Sequence, residues 1–397
     1  MKVVVASYGS RGDVEPCTAV ARELLRRGHD VCMAVPPNMV GFVESAGLAA
    51  VAYGPDSREQ MNPAMDLVRD FVAQTRNPIG LLSQVIEHVS QVSADKSAAL
   101  TALTAGADLL LASFNEQRLA ANVAEYHDIP VAALHFFPAR LWASGGMSPL
   151  ITTAVDEAQR HSLGLPLTGA DEPPPMLEIQ AYDELYLPGS AADWVAPRGR
   201  QPFVGALTLQ LPTGADDEVL SWMAAGTPPI YFGFGSTPIE RPAETVAMIN
   251  GACAELGERA LICCGVNDFR GIAHAGHVRI VDVLNHAAVF PGCRAVVHHG
   301  GAGTTAAGMR AGIPTLILWL WLDQPVWAAG VNQLGVGAGR AFSATNQDTL
   351  VADLRSILTP QRLARAREVA AQLIAPAKSV ALAADLLEEA ARPGRAG

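Results

Sequence analysis

The densest group of residues able to do chemistry is Ala295–Gly337, AVVHHGGAGTTAAGMRAGIPTLILWLWLDQPVWAAGVNQLGVG. An apolar strand ends at His298–His299, a glycine turn follows, and a helix is expected from near Thr304–Thr305. Small residues let the backbone approach a phosphate, and a helix start offers free N–H groups with a partial positive charge. His299 would donate a further hydrogen bond to the same phosphate. The plainer reading is an ordinary strand-to-helix turn. A rival is dinucleotide binding: Gly301-Ala302-Gly303-Thr304-Thr305-Ala306 fits G-x-G-x-x-G/A, and Asp323 follows where a ribose-binding acid would stand. Against an NAD-dependent oxidoreductase stand the motif's place in the second half, the two preceding histidines, and Gln324 directly after the acid. A second candidate lies near the N-terminus. Asp13 follows a glycine in the turn after the first strand, at the strand edge where α/β sheets bind ligands, which suits a general base. An acid there also suits helix capping. His135, ending another strand, is a possible second base, with a core histidine the plainer reading.

Positioning these residues takes alternating strands and helices. Strands are expected at Lys2–Ala6, Asp30–Val35, Asp108–Ala112 and Pro130–His135, with helices at Glu15–Arg27 and Phe42–Ala46. A long helical stretch, Arg58–Ala105, interrupts the alternation. Asp171–Pro175 and Pro197–Pro202 are proline-rich and loop-like, and Gln210–Asp217 reads as a linker. The alternation then restarts with strands at Ile230–Phe234, Ala260–Cys264, Val278–Val281, Ala295–His298 and Thr315–Leu322, a helix at Ala243–Leu256, and two helices between Thr359 and Ala391. In the last strand a period of two would put Trp319 and Trp321 on one face. The pattern predicts an α/β protein of two doubly wound, mostly parallel, Rossmann-like domains facing each other across a cleft. The expected division is 1–209, a linker at 210–220, 221–375, and a C-terminal helix in 376–397 packing back on the first domain.

Composition narrows the function classes. Half of the 397 residues are hydrophobic and 17% are charged, which excludes a disordered chain. The formal charge is −11 and no basic block stands out, so no nucleic-acid partner is expected. The longest apolar run, Thr315–Leu322, is far short of the ~20 residues of a membrane helix. With no cleavage pattern in MKVVVASYGSRGD, a soluble cytoplasmic protein with at most peripheral membrane contact is expected. The six cysteines form no CxxC pair, which points to buried thiols rather than a metal site.

HHGGAGTT (His298–Thr305), Pro314 and Asp323-Gln324 together resemble the donor-binding signature of GT-B glycosyltransferases. Gly9-Ser10-Arg11-Gly12-Asp13-Val14-Glu15-Pro16 resembles that family's first loop, closest to the vancomycin-type bacterial branch, and Gly233-Phe234-Gly235-Ser236 resembles its phosphate-side loop. The resemblance implies an inverting enzyme using a nucleotide-sugar co-substrate without a metal. His299 and the backbone of Gly301, Gly303 and Thr304 would bind the diphosphate. Ser236 would add a hydroxyl, and Ser10 and Arg11 would reach the phosphates from the first domain. Asp323 and Gln324 would hold the sugar hydroxyls. Plant relatives open this signature with a Trp that stacks on the base; the matching position is Val281, so base contacts are expected from backbone near Val281–Val283. Relatives with a His–Asp pair have a His at the start of the first helix, where this chain has Thr18. VVASYGSRGDVEPC, DVCMAVPPN, NVAEYHDIP and LILWLWLDQPVW are further similar to mycobacterial glycopeptidolipid glycosyltransferases. That implies a 6-deoxyhexose donor such as dTDP-rhamnose and a hydrophobic lipopeptide or natural-product acceptor. A non-catalytic nucleotide-sugar-binding protein is the alternative from another class.

Overall fold

The computed structural model describes residues 1–58, 78–138, 149–167, 177–187, 189 and 201–392. The chain forms two compact units: Met1–Ala181 with Val195–Leu207 and Ala377–Gly397, and Tyr182–Trp194 with Thr208–Pro376. The segment from Tyr182, placed by sequence in the first half, thus groups with the second.

The first unit holds a six-stranded sheet: β1 (Lys2–Ala6), β2 (Asp30–Val35), β3 (Ala49–Ala52), β4 (Leu109–Ser113), β5 (Val131–His135) and β6 (Leu177–Gln180). The order is β3-β2-β1-β4-β5-β6, and every pair is parallel. Val3, Val4, Val5 and Ala6 are all fully buried, as strands covered by helices on both faces must be. The second unit repeats the plan with β7 (Ile230–Gly233), β8 (Ala260–Cys263), β9 (Val278–Val281), β10 (Ala295–His298), β11 (Thr315–Trp319) and β12 (Gly337–Ala341). Its order, β12-β11-β10-β7-β8-β9, is the same winding, again all parallel. In such sheets the winding reverses between the first and fourth strands, and the crevice outside the strands' carboxyl ends is where ligands bind.

Three strands have no clear sequence signal. β3 (AAVA) and β6 are short edges, and β12 (GAGRA) lacks apolar alternation. The β12 glycines are there for space: a Cβ on Gly337 would collide with the Thr315 carbonyl and one on Gly339 would lie 2.5 Å from the Ala328 Cβ. The first helix begins at Arg11, not Glu15, and runs to Arg26 with Pro16 inside it. The helix Asp216–Ala224 begins inside the stretch read as linker, where Asp216 accepts hydrogen bonds from the Thr213 amide and hydroxyl, both at 2.7 Å. β11 ends at Trp319, so the period-two argument for Trp321 fails. The helical stretch is described from Pro78 to Thr104; 59–77, 171–175 and 197–200 lie outside the described residues. No described helix is long and apolar enough to cross a membrane.

The last helix, Pro376–Ala390, is tied to the end of the first. Arg27 bonds Asp385 (2.7 Å) and Glu388 (3.1 Å), and His29 Nε2 lies 2.8 Å from Glu388. Ala383, Ala384 and Leu387 on this helix are fully buried. Leu387→Ala should therefore cost about 2–5 kcal/mol of stability, as large-to-small core changes do. Urea unfolding checks this, and an unchanged midpoint would show that the helix is not docked.

Candidate active site

The first chemical cluster is the turn that leaves β1. Ser10 caps the helix Arg11–Arg26, and Asp13, its third residue, reaches back. The Ser10 amide (2.6 Å) and hydroxyl (2.9 Å) both donate to Asp13 Oδ2, half of a capping box. Gly9 makes this possible. Its φ is +142°, and a Cβ there would lie 2.3 Å from Asp13 Oδ2. Ser7 adds a hydroxyl bond to the Asp13 carbonyl at 3.0 Å. Asp13 is half-buried. Burial pushes its carboxyl up to about 6, against the opposing pull of the Ser10 bonds. The capping arrangement is present, and the raised carboxyl has a higher proton affinity than an ordinary one, as a general base would need. Ser10 and Arg11 are not uncommitted phosphate donors. Ser10 serves Asp13, and Arg11 pairs with Glu15 at 2.7 Å and lies 5.0 Å over the Phe42 ring. Thr18 donates to the Val14 carbonyl inside the helix. His135 is buried, with Nε2 3.4 Å from Glu178 Oε2 and the Phe114 ring at 6.1 Å.

The second cluster lies at the matching point of the second sheet, at the carboxyl ends of β7 and β10. The helix after β10 spans Ala302–Arg310 with Gly301 as its cap, so it starts two residues earlier than the sequence suggested. The first of its amides to find a backbone acceptor is Thr305 N, on Gly301 O at 2.9 Å. The amides of Ala302, Gly303 and Thr304 precede it, and no side chain caps them among the described residues. A Cβ on Gly303 would meet nothing within 4 Å, so open space lies there. The His299 imidazole is wedged between glycines. A Cβ on Gly235 (φ +58°) would lie 2.7 Å from its Cε1, and one on Gly301 2.7 Å from its Nε2. Gly265 packs in turn on the Gly235 carbonyl, where a Cβ would collide. The loops after β7 and β10 therefore close on one ring, and the loop after β8 backs the first of them. The His299 imidazole is buried beside the Gly233 backbone, whose hydrogen bond opposes the effect of burial. Burial prevails and holds the imidazole down to about 4, so it is neutral at neutral pH rather than a cation. His298 is the structural partner: its Nδ1 accepts from the Gly300 amide at 3.0 Å. Ser236 is half-buried in the turn after β7.

Asp323 and Gln324 are already engaged. Asp323 Oδ2 accepts from the Trp327 indole at 2.5 Å, one helical turn on, and Gln324 Oε1 accepts from the Leu320 (2.7 Å) and Trp321 (3.1 Å) amides. The sequence spacing Asp323–Trp327 could have disclosed the first; nothing local signals the second. Between these bonds Leu322 is held at φ +54°, a strained conformation for a branched side chain, with 59% of its surface exposed. Of the expected base-reading positions, the Val281 carbonyl is taken by the Cys264 amide at 2.8 Å, whereas Val283 is exposed in the following loop.

The Asp13 environment has a consequence for stability. The folded carboxyl, at about 6, lies above its ordinary 3.8. A group raised in this way contributes stability that is complete below the lower value and is lost as pH rises through the upper one. Wild type should therefore lose up to about 3 kcal/mol between pH 4 and 7 relative to Asp13→Asn, on the order of two pKa units. Urea unfolding of both proteins at the two pH values measures this, and parallel pH profiles would contradict it.

The chain matches known proteins along its length. Residues 3–140 match the glycosyltransferase family 28 N-terminal domain, and residues 249–388 the erythromycin biosynthesis protein CIII-like C-terminal domain. An uncharacterized glycosyltransferase of Mycobacterium tuberculosis is 56% identical over 422 residues, covering 100% of both chains. The vancomycin aglycone glucosyltransferase of Amycolatopsis orientalis is 30% identical, covering 96% of each. Among solved structures, a spinosyn rhamnosyltransferase superposes with a TM-score of 0.68 at 20% identity, over 97% of this chain and 100% of that one. The glycine motif after β10 is therefore no dinucleotide fingerprint. The chain belongs to the glycosyltransferases, with a family 28 N-terminal part, an erythromycin CIII-like C-terminal part and the GT-B fold.

Proposed function

We propose that this glycosyltransferase moves a 6-deoxyhexose from a nucleotide diphosphate to a hydroxyl of a hydrophobic acceptor, with inversion. The observation that carries the reading is the second cluster: helix-start amides without internal partners beside a neutral, buried imidazole. That set suits a diphosphate. The amides of Ala302, Gly303 and Thr304 would take its oxygens, His299 would donate one neutral hydrogen bond, and the Ser236 hydroxyl would add another. Asp13, from the first unit, would take the acceptor proton. The acceptor oxygen then attacks the anomeric carbon, the bond to the diphosphate breaks, and the electron pair leaves with the phosphate oxygen. The second cluster's donors would stabilise the charge that builds there. Val283 would meet the base through its backbone. The remaining capacity of Asp323 and Gln324, beyond their loop bonds, would serve the sugar hydroxyls. Two features support the finer choices. Phe114, Phe136 and Phe137 form an aromatic group just beyond β4 and β5 (4.7 and 5.1 Å between neighbouring rings), suited to an apolar acceptor. Half-buried Trp321 and exposed Leu322 precede Asp323, an apolar approach suited to a C6 methyl group.

Mass spectrometry of products from dTDP- and UDP-sugars with lipid and natural-product acceptors tests the reaction, and proton NMR of the anomeric centre tests inversion. Nucleotide binding without transfer to any hydroxyl would instead support a non-catalytic binding protein. Asp13→Asn should keep its capping bonds and lower transfer by about 10²–10⁴-fold; full activity would remove Asp13 as the base. Gly303→Ala puts a methyl group into the open space and should weaken dTDP binding by at least about tenfold with unchanged stability. Equal affinity by calorimetry would move the diphosphate elsewhere. Competition between dTDP-rhamnose and dTDP-glucose should favour rhamnose by up to about 10²-fold. Equal use by wild type would end the deoxysugar reading, and a preference surviving Trp321→Ala would clear that indole of a role.

A further inference from the structure

Behind the Asp13 turn lies a buried charged group that the reaction does not use. Lys96, on the helix Pro78–Thr104, places Nζ 2.5 Å from Glu116 Oε1. Glu116 stands in the 3-10 turn after β4 and is 1% exposed. The Tyr53 hydroxyl, just past β3, donates to Glu116 Oε2 at 2.6 Å. The Lys96 ammonium also sits 4.0 Å over the Tyr8 ring and 4.9 Å from the Tyr53 ring. Tyr8 leaves β1 directly before Gly9 and is held at three points. Its ring lies under Lys96, its hydroxyl donates to the Pro55 carbonyl at 2.9 Å, and its carbonyl accepts from Asn115 Nδ2 at 3.2 Å. Gly54, at φ +69°, is where a Cβ would press at 3.1 Å on both Lys96 and Tyr8. Burial, with Glu116 adding to it, pushes the Tyr8 hydroxyl up to about 12, so it stays a donor.

A buried ion pair is weak as a source of stability, because desolvation offsets its attraction. What it does supply is direction: both charges must stay where their partners are. Here the partners are the exits of β1, β3 and β4. We propose that Lys96 is a positioning residue for Asp13: its pair with Glu116 fixes Tyr8, and Tyr8 fixes the Gly9–Ser10 turn that holds the Asp13 carboxylate. The link runs Glu116–Lys96–Tyr8 through one ring contact and then along the chain to the Ser10 amide and hydroxyl.

The inference rests on Asp13 being the base for its relevance to transfer, but its test does not require an acceptor. Aspartate labelled with carbon-13 at the carboxyl is followed by NMR against pH, the Asp13 signal being assigned by its loss in Asp13→Asn. On its own helix Glu15 and Arg11 pair with each other, and the Cys17 thiol, raised by burial to about 12, stays neutral. Lys96→Met with Glu116→Gln replaces the pair by neutral groups and leaves Tyr53 an acceptor. If the pair holds the turn closed, water reaches the loosened carboxyl and its midpoint falls by about one unit or more toward the ordinary range. An unchanged midpoint in a folded variant overturns the proposal. Should that variant not fold, Tyr8→Leu leaves the ion pair intact and removes only the ring, and the same two outcomes apply. Full turnover in Asp13→Asn would defeat the base assignment while leaving the NMR result to stand or fall alone.

Discussion

The wedge of the His299 imidazole between Gly235 and Gly301 is the constraint on which the second unit's chemistry depends. Neither position tolerates a Cβ without displacing the ring, and Gly265 must in turn admit the Gly235 carbonyl. Three strand exits are therefore packed backbone against backbone. The thin turn leaves the first amides of the Ala302–Arg310 helix, which as in any helix have no internal partners, without a side-chain cap. Those amides carry the positive end of the helix, which favours an anion. The same burial that locks the ring keeps it neutral, so the donors here are dipoles rather than cations. The protein's overall charge of −11 agrees with that: a phosphate has to be held by local donors, not by a general field.

The first unit solves the opposite problem by the same topology. In the proposed reaction its reversal point presents a carboxylate ready to accept a proton, and the group found there is partly desolvated rather than paired with a cation. Asp13 accepts two bonds from Ser10, which orient it, while enclosure raises its proton affinity. Capping and basicity then use the same oxygen. Near the second cluster, strain falls at Leu322, where two backbone amides are fastened to Gln324 and the chain turns through a left-handed conformation before Asp323.

How much of this is legible in the sequence depends on range. Apolar runs located the interior strands Lys2–Ala6, Asp30–Val35 and Ala295–His298, and one edge strand, Val278–Val281, as observed. The other edge strands, β3, β6 and β12, escape because edges need little hydrophobic signal, and β12 is built from glycines that serve its neighbours' space. The early start of the first helix escapes because Pro16 reads as a first-turn residue, whereas Ser10 and Asp13 define the true cap. Asp13, His299 and the glycine turn stand out in the sequence because local spacing singles them out, and each lies at the carboxyl end of a strand as expected. The Lys96–Glu116 pair and the Gly235 side of the wedge around His299 join residues far apart in sequence, and no local pattern encodes them; the Gln324 bonds are local, to Leu320 and Trp321, but a glutamine reaching back to those amides has no composition signal of its own.

The central claim is that a partly desolvated Asp13 takes the acceptor proton. The pH dependence of kcat/KM for sugar transfer tests it most directly, because its acidic limb reports the free enzyme's base. The claim predicts a rate that rises as the carboxyl ionises, with an apparent pKa near the folded value of about 6, and levels off above it. A rate that stays flat from pH 5 to 8 would contradict it.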